Sequence, residues 1–208
     1  MFIFDLDGTI IDSLPDIHTS LMNTLNNFSL PLFDKNITKA LIGDGIEKLI
    51  LKAVGEQNFK KEILEYFKFE YEKHITDKTT LIKGIKQLLD FLYKKHATSV
   101  ILTNKLFVFT DKIIEHFNLG RFFTDWYGGD SFEEKKPSGL PIIKILAKNR
   151  VDKEKALIIG DNYTDIQAGV NAEIKTCFCE YGYGKLNGFI PYYTIKKPLD
   201  LLEIIKNG

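Results

Sequence analysis

The stretch Phe2-Ile3-Phe4-Asp5-Leu6-Asp7-Gly8-Thr9 decides how this chain is read. Three apolar residues without polar alternation have the pattern of a buried strand, and two aspartates follow at once. If strand geometry persists, Asp5 and Asp7 point to one face while Leu6 points away. Carboxylates this close repel unless a cation lies between them or one holds a proton. That composition suits a magnesium site with an acid–base neighbour. A plain polar turn is the structural alternative, and a calcium loop is a third reading. The calcium reading fails: the fifth position of such a loop would be Thr9, and the required late glutamate is missing.

Further apolar runs of the same kind lie at residues 99–103, 156–160 and Lys175–Cys179, with a fainter one at 125–128. Helical stripes separate them, such as Ile85, Leu88, Leu89 and Leu92, and Ile142, Ile143, Leu146 and Ala147. Strands alternating with helices predict an α/β fold, a doubly wound, Rossmann-like parallel sheet. Residues 13–80 break the alternation with helical patterning alone. Ser13-Leu14-Pro15-Asp16 has the form of a helix start, with Ser13 or Asp12 as cap. Stripes follow at Ile17, Leu21, Leu25 and Phe28, then at Ile46, Leu49, Ile50 and Val54, then at Phe59, Ile63, Tyr66 and Phe67. The expected organisation is a core of residues 1–12 and 81–208, with a helical insert at 13–80 folding over one end of the sheet.

The bulk numbers narrow the function. Lys+Arg and Asp+Glu each total 28 of 208 residues, so the formal net charge is zero. Such a balance argues against nucleic acid or an anionic membrane as the main partner. No apolar stretch approaches the length of a bilayer span, and Asp5 interrupts the first apolar run too early for a signal peptide. The two cysteines, Cys177 and Cys179, are expected as reduced thiols. A cytoplasmic location follows as the expectation.

The chemistry comes from where the polar residues fall. Gly160-Asp161-Asn162-Tyr163-Thr164-Asp165 ends another apolar strand, and a helix starting there places Asp161 and Asp165 on one side. Asp165 also suits a plain helix start. Thr103-Asn104 ends the strand before it, and Lys136-Pro137 follows the faint strand at Trp126. Singly, a threonine there is a helix cap and a lysine a solvated surface group. Together they gain weight, because open α/β sheets bind ligands beyond the carboxyl ends of their strands. A carboxylate nucleophile, a magnesium ion, a lysine with a hydroxyl for phosphate oxygens, and a second acid make a phosphoryl-transfer site.

These motifs resemble, in order and over essentially the whole chain, the phosphatases of the haloacid dehalogenase superfamily, and among them the phosphoglycolate phosphatase branch. The stretch Ile11-Asp12-Ser13-Leu14-Pro15-Asp16-Ile17 and the run Tyr181-Gly182-Tyr183-Gly184 are similar to that branch too. The resemblance implies Asp5 as nucleophile and Asp7 as general acid/base. It implies magnesium held by the Asp5 carboxylate, the Asp7 backbone carbonyl and Asp161, with Asp165 orienting the site or acting through water. Thr103, Asn104 and Lys136 would bind the phosphoryl group, and residues 13–80 would form a mobile cap. Gly139 departs from the pattern, standing where the family often has proline.

A sugar phosphomutase of the same superfamily is the alternative enzyme, though Thr9 after Asp7-Gly8 is typical of phosphatases. A non-catalytic phosphometabolite-binding protein is the alternative from another class, and every catalytic position being filled argues against it. The expected substrate is a small phosphorylated metabolite, 2-phosphoglycolate first. Gly43, Asp44 and Gly45 are candidates to face the site, whereas Lys48 is read as surface.

Overall fold

A computed structural model describes residues 1–207. The chain opens with β1 (Phe2–Phe4) and a two-residue strand, β2 (Ile11–Asp12). Four helices follow: α1 (Leu14–Asn27), α2 (Lys35–Leu41), α3 (Ile46–Val54) and α4 (Lys61–His74). The chain then returns through β3 (Thr80–Leu81), α5 (Ile85–Lys94) and β4 (Ser99–Leu102) to α6 (Phe107–His116) and β5 (Asp125–Tyr127). The last part runs α7 (Leu140–Asn149), β6 (Leu157–Gly160), α8 (Tyr163–Asn171), β7 (Lys175–Cys179), β8 (Tyr193–Ile195) and α9 (Leu201–Asn207).

Six strands form one parallel sheet in the order β5-β4-β1-β6-β7-β8. From β1 the chain winds outward to β5, then crosses back to β6 and winds the other way, so the order reverses between β1 and β6. Both faces are covered, which explains why the strands carry no polar alternation. Ile3, Val100, Leu102 and Ile158 pack under α7 and α8 with Ile142, Ile145 and Ala168. Phe4, Ile101 and Ile159 point the other way, into a core shared with Leu88, Leu89 and Leu92 of α5 and Ile113 of α6. The doubly wound sheet expected from the sequence is present.

The helical stretch is framed by something the sequence did not reveal. β2 and β3 pair antiparallel, Ile11 with Leu81 and Asp12 with Thr80, and so clamp together the exit from and return to the sheet. Two-residue strands have no period to detect. The same limit hid β8, a three-residue edge strand, and α2, which buries only Thr38. α2 is started by Asp34, whose carboxylate accepts from Asn36 N and Ile37 N at 2.7 and 3.1 Å. Within the segment α1 packs on α4 and on α2, burying Ile17, Leu21 and Leu25. Among the described residues no helix is long and apolar enough to cross a membrane.

Candidate active site

Asp5 and Asp161 end the neighbouring strands β1 and β6, so they flank the point where the strand order reverses and a crevice opens. Immediately after Asp7 the chain turns back, with Ile10 N and Ile11 N both donating to Leu6 O. Gly8 makes that turn possible. Its φ is +78°, and a β-carbon there would sit 2.4 Å from Asp161 Oδ2. Thr103 lies just past β4, its N–H donating to Tyr127 O at 3.0 Å. Lys136 reaches in from the loop between β5 and α7.

Lys136 is the hub of the buried charge. Its Nζ donates to Asp5 Oδ1 at 2.9 Å and to Asp165 Oδ1 at 2.5 Å, with only 2% of its side chain exposed. Asp5, Asp161 and Asp165 each present an oxygen, all within 4.8 Å of one another. Three carboxylates around one ammonium leave uncompensated negative charge, which raises the Asp161 and Asp165 carboxyls. Burial, then Asp5 and Asp165, push the Asp161 carboxyl up to about 8. Burial also raises Asp165, to about 6, although Lys136 opposes it. Lys136 itself is held above the usual lysine value: burial disfavours its charge, but Asp165 and Asp5 outweigh that.

Such a cluster fits a divalent cation, because a hard oxygen-bound ion would offset both the burial and the repulsion that raise the Asp161 carboxyl. Asp165 has both oxygens engaged, Oδ1 by Lys136 and Oδ2 by Asn162 N at 3.0 Å. That second bond belongs to a reciprocal cap at the start of α8. Asp161 Oδ2 accepts from the backbone N–H groups of Tyr183 and Gly184 at 2.6 and 3.0 Å. Among the described residues its Oδ1 accepts a hydrogen bond only from the Thr9 hydroxyl, at 3.4 Å.

Asp7 is held from both sides. Its Oδ1 accepts a short hydrogen bond from the Ser13 hydroxyl, and its Oδ2 lies 3.1 Å from Lys105 Nζ. Ser13 does occupy the cap position of α1, but its side chain serves Asp7 instead of the helix N–H groups. Lys105 Nζ also donates to the Tyr71 hydroxyl of α4, at 2.6 Å. The Asn104 amide donates to Gly43 O at 3.0 Å and Lys136 O at 2.9 Å. Its Oδ1 has no partner among the described residues.

The helical segment closes over this crevice. Tyr163 OH donates to Asp44 Oδ1 at 2.7 Å, and Lys52 pairs with the other Asp44 oxygen. Gly43, with φ +125°, comes so near the core that a β-carbon would lie 2.3 Å from Asn162 Nδ2. Lys48 is exposed. What remains is a cavity of about 70 Å³ with Asp5, Asp7 and Asp161 on one wall. Ile17, Ile42, Ile46, Leu49, Phe67 and Phe109 line another.

The model of the haloacid dehalogenase-like hydrolase family matches residues 2–179. The chain belongs to the haloacid dehalogenase-like hydrolases. It is 38% identical over its whole length to a phosphoglycolate phosphatase of Aquifex aeolicus, covering 97% of that protein. It is 28% identical to one of Chromobacterium violaceum over 99% of the chain and 96% of that protein. Among solved structures it is similar to a predicted phosphoglycolate phosphatase from Haemophilus somnus, with TM-score 0.89 and 26% identity, covering 99% of this chain and 97% of that one. Its full-length likeness to phosphatases makes this family member a hydrolase of phosphoric monoesters.

All the residues singled out in the sequence of this haloacid dehalogenase-like hydrolase converge on one place. Asp5, Asp7, Thr103, Asn104 and Asp161 line the cavity, while Lys136 and Asp165 stand behind Asp5. The sequence reading gave Lys105 and Tyr71 no role, took Ser13 as a candidate helix cap, and noted Tyr183 and Gly184 only as part of a run similar to the family. Lys105 adjoins Thr103-Asn104 and was within reach of that motif's reading. Tyr71 sits in a helical stripe where an aromatic residue is ordinary core, so nothing marked it.

Proposed function

We propose that this hydrolase cleaves a small phosphomonoester, 2-phosphoglycolate first, with magnesium and through an aspartyl-phosphate on Asp5. The observation that carries the proposal is Lys136 at 2.9 Å from Asp5 Oδ1, buried together with Asp161 and Asp165 beside the cavity. An ammonium at that place steadies the nucleophile and faces the negative charge of an incoming phosphoryl group. The Asp5 carboxylate attacks phosphorus, and the bond to the leaving oxygen breaks as Asp7 delivers a proton to it. Asp7 then takes a proton from water, which attacks the phosphorus and frees Asp5 and inorganic phosphate.

The Asp5 carboxylate, the Asp7 carbonyl and Asp161 are the proposed magnesium ligands. Magnesium, when bound, neutralises charge between the Asp5 carboxylate and the phosphoryl oxygens. Asp165, with both oxygens occupied, orients Lys136 rather than binding the ion directly. The Thr103 hydroxyl holds a phosphoryl oxygen. With its amide tied to Gly43 O and Lys136 O, Asn104 assists by fixing the strand-end loop. Residues 13–80 act as a cap whose closure keeps water out during the first step. The small cavity supports a small, diffusible substrate, and the names of the full-length relatives support 2-phosphoglycolate; the proposed setting is the cytoplasm.

The test is phosphate release from a panel of small phosphomonoesters with magnesium, repeated with chelator. Magnesium-dependent release led by 2-phosphoglycolate is expected. Phosphoryl transfer between sugar phosphates without release would replace hydrolysis by a mutase reaction. No turnover of any ester by folded, magnesium-loaded protein would leave only phosphometabolite binding.

A further inference from the structure

We infer that Lys105 selects the substrate: its ammonium receives a carboxylate carried one carbon beyond the leaving oxygen of the phosphate ester. The inference rests on the phosphatase reading above and names the recognition element of that same site.

Three observations lead there. The first is burial with an unused donor. Lysines are seldom buried unless fully paired, and an ammonium has three N–H donors. Only 5% of the Lys105 side chain is exposed, yet the described residues offer its Nζ two acceptors, Asp7 Oδ2 and the Tyr71 hydroxyl. The residue lines the cavity, so a third acceptor can come from a bound ligand.

The second is position. Asp7 is the acid that serves the leaving oxygen, and Lys105 Nζ is 3.1 Å from its far carboxylate oxygen. A group one carbon past the leaving oxygen therefore arrives beside Lys105. The third is the lining: among the described residues Lys105 is its one cationic side chain, with Lys135 Nζ outside it, near Gly45. Lys136 is behind Asp5, already bridging two carboxylates, and the lining also holds the apolar side chains of Ile17, Phe67 and Phe109. A second anion placed against those side chains would be desolvated and unpaired. Against Lys105 it gains a charge-assisted bond.

Tyr71 adds to the subsite. Its hydroxyl accepts from Lys105, and no described residue accepts its own proton. Burial pushes that phenol up to about 12, so it remains a donor at neutral pH. Because Tyr71 belongs to α4 and Lys105 to the loop after β4, a carboxylate bound here would be gripped by both the helical segment and the sheet.

The test compares 2-phosphoglycolate with 2-hydroxyethyl phosphate, which replaces the carboxylate by a neutral alcohol of similar size. The readout is the ratio of their kcat/KM values with magnesium present. In the ratio, any harm that a substitution does to Asp7 cancels, since both esters use it. The native enzyme is expected to favour the carboxylate ester by about tenfold to a hundredfold, the range of a hydrogen bond to a charged group. Lys105→Met should bring the ratio close to one, and Lys105→Arg should restore much of it. Should the methionine variant fail to fold by circular dichroism, Tyr71→Phe provides the second reading, with the ratio down by about twofold to tenfold. A native ratio near one overturns the inference without any variant, as does a ratio that Lys105→Met or Tyr71→Phe leaves in place. Release from the neutral ester alone would overturn the Lys105 assignment and keep the phosphatase reading; release from neither would overturn both.

Discussion

Lys136→Met is the perturbation whose size follows most directly from the structure. Methionine preserves much of the stem's volume and deletes the ammonium between Asp5 and Asp165. The lost bonds are 2.9 and 2.5 Å, and the orphaned carboxylates are 11% and 0% exposed. Removing one partner of a buried ion pair costs about 3–5 kcal/mol, because the remaining charge is left desolvated. For a chain of this size that corresponds to a fall in Tm of roughly 6–20 °C, at about 2–4 °C per kcal/mol. The assay is urea unfolding of the metal-free protein near neutral pH, followed by circular dichroism. The double variant Lys136→Met/Asp165→Asn is the control. With one of the stranded charges gone, it should lose at least about 0.5 kcal/mol less than the two single losses added together. A single-variant loss below about 1 kcal/mol, the level of an exposed pair, would refute the argument that this ammonium holds the cluster together. Strict additivity of the two changes would refute it as well.

Asp5→Asn keeps the side-chain shape and removes the nucleophile, so phosphate release should fall by about a thousandfold or more with the unfolding midpoint little changed. Near-normal activity would take Asp5 out of the nucleophile role. The pH dependence in chelator has a definite sign. Asp161 and Asp165 are raised to about 8 and about 6, so the folded state keeps protons that the unfolded chain releases near 4. That stability is complete at low pH and is lost as pH rises towards 8; magnesium, which competes with those protons, should restore it at pH 8–9. A urea midpoint that climbs over this range without metal would contradict the assignment. Gly43→Ala places a β-carbon at an unfavourable φ of +125° and 2.3 Å from Asn162 Nδ2. About 1–3 kcal/mol of strain at that contact should lower kcat/KM by roughly fivefold to a hundredfold, read in steady-state kinetics. Unchanged kinetics would mean that this approach to the core is not needed for turnover.

Much of the molecule was legible because it is locally written. β1, β4, β6 and β7 are short apolar runs, and each bears its period and its polar terminus within a few residues. Asp5, Thr103 and Asp161 were singled out by their joint placement at the ends of apolar strands, although a threonine there, taken singly, reads as a helix cap. The helical run from α1 to α4 was legible for the same reason, through stripes three and four residues apart. β2, β3 and β8 were not, because two or three residues have no periodicity and their pairing partners lie far along the chain or on an edge.

The sequence by itself determined the alternation of the main strands and helices, the carboxylates at the strand ends and the helical character of the stretch from α1 to α4. Only the tertiary structure decided who partners whom. It set Lys136 against Asp5, 131 positions away, and Lys105 between Asp7 and Tyr71. It also drew the Ser13 hydroxyl from its expected cap to Asp7. Hydrophobic period and turn chemistry act over one or two turns of chain. The charge balance of a buried cluster depends on which distant side chains the folded sheet brings within about 3 Å, and no local pattern records that.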